Sequence, residues 1–100
     1  MQLKNGTRLY AQIDFPVEGK EFDAKVYEEA VAFANNMVKE RYCKIGIFSN
    51  TEGAMCLFEA ESLDEAHALA QSGPLIKHGL YRYELYEWNL VITSEDASAE

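Results

Sequence analysis

The run from Glu61 to Asn89, ESLDEAHALAQSGPLIKHGLYRYELYEWN, contains a helix with a marked start and stop, a short loop and a long aromatic strand. Ser62-Leu63-Asp64-Glu65 reads as a capping box. The Ser62 oxygen accepts from the Glu65 N–H, and the Glu65 carboxylate reaches back to the Ser62 N–H. The acids complement the positive end of the helix dipole. Leu63, Ala66, Leu69 and Ala70 make a narrow apolar stripe at helical spacing. Gly73-Pro74 stops the helix, because glycine tolerates the left-handed C′ geometry and proline cannot continue it. A loop over Leu75–Gly79 follows. From Leu80 to about Ile92 the Tyr, Leu, Trp, Val and Ile content predicts a strand.

The preceding residues supply the other elements. Asn5-Gly6 is a turn signal. Leu9, Ala11, Ile13 and Phe15 alternate with Tyr10, Gln12 and Asp14, the period of a strand with two unlike faces that Pro16 ends. From Asp23, a plausible N-cap, to about Tyr42 the period is helical, with Val26, Ala30, Phe33 and Met37 on one stripe. Cys43–Ser49 and Ala54–Ala60 are strands joined by the turn Asn50-Thr51-Glu52-Gly53. The order is βαββαβ. Right-handed crossovers then predict an α+β, ferredoxin-like protomer with a four-stranded antiparallel sheet, order 4-1-3-2, and both helices on one face.

One hundred residues suit a single domain, over residues 1–93, followed by a small acidic tail from Ser94 to Glu100 that is expected to be disordered. Seventeen acidic against nine basic residues leave a net charge of −8, which disfavours nucleic acid and anionic membrane surfaces as partners. No signal-peptide pattern or membrane-length apolar run is seen. Cys43 and Cys56 are too few for a disulfide framework, and their strand setting reads as reduced and buried, in a cytoplasmic protein. Neither they nor the two His have a metal-ligand spacing, no phosphate loop is present, and no cofactor is expected.

The run FEAESLDEAHALAQSGPLIKHGLYRYELYEWN resembles the C-terminal half of YCII-related domains, and more loosely muconolactone isomerase-like proteins, which share a helix, a "PL" loop and a final strand. The resemblance implies the dimeric α+β barrel group. Two features of the YCII pattern are missing. The position before the loop proline, commonly Asp there, is Gly73, and no His stands near Tyr27 at the start of the first helix.

A sheet covered on one side exposes the other. The bare face is expected to carry Tyr10, Gln12 and Asp14, with aromatics of the last strand on either side: Tyr81 and Tyr83, or Tyr86 and Trp88. Such a patch marks an interface. At ~25 cal/mol per Å², hiding ~600 Å² of apolar surface contributes on the order of 15 kcal/mol before entropy costs. A homodimer with two sheets face to face is therefore expected.

The candidate catalytic residues are Asp14 and His78. A carboxylate on a central strand, partly desolvated, has a raised pKa and serves as a general acid or base. The plainer alternative is a solvated Asp14 at the strand end. His78, beside Gly79 in the loop before the last strand, either shuttles protons or is an exposed loop residue. His67 reads as a helix-surface or boundary residue. The candidate ligand-binding residues are Tyr10, Gln12, Tyr81 and Tyr83. The expected function is binding of a small apolar or aromatic molecule between sheet and helices, with cofactor-free acid–base chemistry such as isomerisation or cyclisation. The alternative is a non-catalytic ligand-sensing or interaction module.

Overall fold

A computed structural model of the chain describes residues 8–92. The Asn5-Gly6 turn and the acidic tail lie outside the described residues. The elements are β1 (Arg8–Pro16), α1 (Ala24–Glu40), β2 (Cys43–Ile47), β3 (Ala54–Ala60), α2 (Leu63–Ser72), α3 (Pro74–Lys77) and β4 (Tyr81–Glu87). The strands form one antiparallel sheet, β2-β3-β1-β4, with the helices on one face. This is the expected ferredoxin-like α+β fold.

Local chemistry sets the helix ends. Asp23 Oδ1 accepts from the Lys25 and Val26 N–H groups at 3.0 and 3.1 Å, and so starts α1 as expected. Ser62 Oγ accepts from the Glu65 N–H at 3.1 Å. The return half of the capping box is displaced: Glu65 Oε1 accepts from the Glu61 N–H at 3.3 Å and lies 3.5 Å from Arg41 Nη1. The guanidinium competes for the carboxylate that would otherwise turn back to Ser62.

After α2 the chain departs from expectation. Gly73 is not left-handed: its φ and ψ are −62° and 133°. The next four residues, expected as loop, form α3, because Pro74 at its first position has a φ already set for helix and no N–H to satisfy. The left-handed glycine is Gly79, φ +75°. There Leu80 N–H bonds the Leu75 carbonyl and Gly79 N–H bonds that of Ile76, a Schellman closure. The last strand is also shorter than expected and ends at Glu87, although Trp88 N–H still donates to the Leu9 carbonyl at 2.9 Å.

The face of β1 is the main correction. Tyr10, Gln12 and Asp14 point at the helices, not at the bare side. Register explains why. Tyr10 pairs with Phe58 and Gln12 with Cys56, while Phe58 and Cys56 pair in turn with Cys43 and Ile45. The apolar residues of β2 and β3 thus decide the side for β1. Tyr10 (1% exposed) packs with Phe58 (0%), Met37 of α1 and Ala66 of α2 as the core. The bare face carries Ile13, Phe15, Met55 and Leu57. Arg82 also lies on this face, stacked on the Phe15 ring at 4.4 Å and 3.6 Å from Glu84.

Candidate functional site

Beyond the Tyr10–Phe58 core, the helix-facing side of the sheet does not close. Small residues stand there: Ala54 on β3, Ala30 and Ala34 on α1, and Ala70 and Gly73 at the end of α2. Together with Leu75 and Ile76 of α3 they border a cavity of about 220 Å³. Ile45 and Ile47 of the edge strand β2 also line it, and Ile47 is 84% exposed.

Gln12 and Asp14 are the polar pair on this largely apolar wall. The Gln12 Nε2–H donates to Asp14 Oδ1 at 2.7 Å. Burial pushes the Asp14 carboxyl above the usual aspartate range, and the Gln12 hydrogen bond offsets part of the rise. The carboxyl is thus held in a partly desolvated setting, with space before it.

The β2–β3 turn holds this end of β1. Gly53 has φ +113°, and a Cβ there would sit 2.6 Å from the Asp14 carbonyl oxygen and 3.3 Å from the Phe48 ring. Only glycine fits both the backbone conformation and the close approach.

The other candidates are dispersed. Tyr10 belongs to the sealed core. Tyr83 neighbours Asp14 in register, but its hydroxyl is 2.8 Å from His67 Nδ1 and accepts from Gln71 Nε2 at 3.2 Å. His67 and Gln71 share a helix face, spaced so that both reach one hydroxyl across the α2–β4 seam. Tyr81 borders a second cavity of about 320 Å³ beneath the β1–α1 connection, with Phe22 and Leu80. His78 lies on the surface, its Nε2 3.6 Å from Glu29 Oε1, and borders neither cavity. Sequence reasoning did not single out Tyr27 and Cys56 as cavity residues, nor α3 as a wall. For Cys56 the available signal was its place opposite Gln12.

Among the described residues, no group of three or more His, Cys, Asp or Glu is placed to hold a metal ion. No described helix is long and apolar enough to cross a membrane.

No protein-family model and no curated protein matches the chain. Solved structures do match. One is similar at 20% identity and a TM-score of 0.65, over 81% of this chain and 93% of the other: a 5-chloro-2-hydroxyhydroquinone dehydrochlorinase (TftG) from Burkholderia phenoliruptrix, in complex with 2,5-dihydroxybenzoquinone. Another is a conserved protein of unknown function from Bacteroides thetaiotaomicron, described as a possible oxidoreductase. It is similar at 15% identity and a TM-score of 0.53, over 85% of this chain and 98% of the other. What they share with this chain is the small α+β barrel-like fold.

Proposed function

We propose that the chain binds a small, flat, largely apolar molecule in the cavity beside Asp14 and acts on it by cofactor-free acid–base chemistry of the isomerase or cyclase type. The observation that carries this reading is a carboxyl group, raised in pKa by burial, set in an apolar wall with open volume before it. A protonated Asp14 would donate to a carbonyl or hydroxyl of the occupant, and an ionised one would remove an acidic proton. Gln12 would keep the carboxyl oriented in both states. The quinone bound by the dehydrochlorinase of like fold makes hydroxylated aromatic and quinoid compounds the first probes.

The finer family reading, YCII-related, rests on the Phe58–Asn89 run alone. A homodimer is supported by Met55, exposed, and Ile13, Phe15 and Leu57, half-buried, on the helix-free face, and a cytoplasmic setting by the free thiols. Sedimentation of the wild type and of Met55→Lys tests the dimer, which is expected to dissociate in the variant.

Native mass spectrometry and thermal shift with hydroxylated aromatics and quinones test the binding. Ala34→Leu, which fills the cavity, is expected to abolish the shift. Unchanged binding in that variant would overturn the assignment. Asp14→Asn is expected to keep binding and lose turnover, whereas His78→Ala leaves both intact.

A second reading, non-catalytic ligand sensing, is favoured by one feature. Gln12, Tyr27 and Cys56 bring no carboxylate or imidazole to the cavity wall as a proton partner for Asp14. Retention of every bound compound chemically unchanged would select it.

A further inference from the structure

We propose that Cys43 and Cys56 form a reversible redox pair, which a hydroperoxide oxidises to a bridge between β2 and β3 in the cavity wall. The two sulfurs already touch, Sγ to Sγ 3.6 Å, on neighbouring strands and on the same sheet face. Both are half-buried, and Cys56 borders the cavity, which gives a small oxidant a route to the pair.

The surroundings make the two thiols unequal. Either sulfur can donate across this contact; with Cys56 as the donor, Cys43 is held below the usual thiol range, which burial opposes and the nearby Arg41 charge assists. Cys56 is pushed up as the donor, and further by burial and by the Cys43 and Asp14 charges. Arg41, two residues before Cys43, has its Nε buried without a hydrogen-bond partner. Cys43, the less buried of the two and the one that feels the Arg41 charge, is therefore the attacking thiolate and Cys56 the resolving thiol.

The chemistry is that of the sulfenic-acid ladder. Cys43 sulfur attacks a peroxide oxygen. The O–O bond breaks, the departing oxygen takes a proton and leaves as water (from an organic hydroperoxide, as the alcohol), and Cys43 becomes a sulfenic acid. Cys56, losing its proton, attacks the Cys43 sulfur. The S–S bond forms, the S–O bond breaks, and a second water leaves. Two thiols are oxidised and one peroxide is reduced. A dithiol reductant reverses the bridge by two exchange steps.

The register limits how tight the bridge can be. Cys43 pairs with Phe58 and Cys56 with Ile45, so the cysteines are diagonal neighbours. Diagonal Cα atoms across antiparallel strands lie roughly 7–8 Å apart, at or beyond the ~6.8 Å reach of an ordinary bridge. The strands must shift to close it, and a strained bridge is easily reduced, which suits a regulatory bond rather than a structural one.

The test treats the full-length protein with hydrogen peroxide and reads intact mass, maleimide labelling and a non-reducing gel. The expected product is lighter by two hydrogens, unlabelled and not cross-linked between chains, and millimolar reduced glutathione restores both thiols. Free thiols after treatment, oxygen adducts without the bridge, or a cross-linked pair of chains would each overturn the proposal. Cys56→Ser is expected to leave a dimedone-trappable sulfenic acid on Cys43, and Cys43→Ser to slow the peroxide reaction at least tenfold. Equal rates for Cys43→Ser and wild type would also overturn it. The wild-type result stands whether or not either variant folds, and it is independent of what the cavity binds.

Discussion

Tyr10 and Asp14 lie on the same face of β1, under the same helical layer, yet one is sealed and the other borders open volume. Across the sheet Tyr10 faces Phe58, and Asp14 faces Ala54. From above, Met37 and Ala66 pack on the Tyr10 end, while Ala34, Ala70 and Gly73 border the cavity at the Asp14 end. The difference is one of side-chain volume more than of polarity. Paired large rings fill the space between sheet and helices, and paired small groups leave it empty. A domain of this size gains its stability at the first end and leaves open volume at the second.

Substitution of the most buried ring breaks the comparison most directly. Phe58→Ala removes a fully buried ring, and about 3–5 kcal/mol of stability is expected to go with it. Chemical denaturation measures the loss. Ala34→Leu at the open end adds bulk to a space that already exists, so its denaturation midpoint is expected to stay near wild type while ligand binding disappears. A large loss for Ala34→Leu would show that the open end is packed as tightly as the core.

Gly53→Ala comes next. An alanine at φ +113° costs about 1–3 kcal/mol of backbone strain. Its Cβ also collides with the Asp14 carbonyl, so the variant is expected to weaken binding in the cavity as well as stability. A variant that loses stability but binds normally would detach the turn from the site. Smaller still, Ser62→Ala removes the N-terminal cap of α2, at a cost of about 1 kcal/mol. Ala66, in the sealed core, lies in the N-terminal half of that helix and Ala70, at the cavity, in its C-terminal half. The loss is therefore expected in thermal midpoint and not in ligand affinity.

How far the sequence discloses these features depends on their range. Asp23 and Ser62 mark helix starts through bonds to their own neighbours, so both could be read from a few residues. The alternation along β1 is equally local, and it separates Tyr10, Gln12 and Asp14 from Leu9, Ile13 and Phe15. Which set meets the helices is not local. It follows from pairing with β3 and, through β3, from Ile45 and Ile47 of β2, and a single strand's period carries no trace of that. α3 escaped because four residues are too few for a period, and Gly73-Pro74 signals a break whether or not a new helix begins. The cavity itself is the space among residues far apart in the chain. Asp14 could be proposed from sequence, but the room before it could not.

The smallest effect is the one that tests the open end most specifically. Burial raises the Asp14 pKa, so between the ordinary aspartate value and the raised one the folded chain holds more protons than the unfolded chain. Stability from this group therefore falls as pH rises through that window. Above it, the folded protein carries the full cost of a desolvated charge; below the ordinary value, both states are protonated and the cost vanishes. Asp14→Asn has no charge to desolvate, and its side-chain oxygen can still accept from Gln12. At neutral pH the variant is expected to be slightly more stable than wild type, by a fraction of the Phe58→Ala loss, and the two curves should converge as pH drops below the ordinary aspartate value. Denaturant titrations of both proteins across that range measure the difference. Parallel curves would mean that water reaches Asp14 freely, and the contrast between the two ends of β1 would then be one of packing alone.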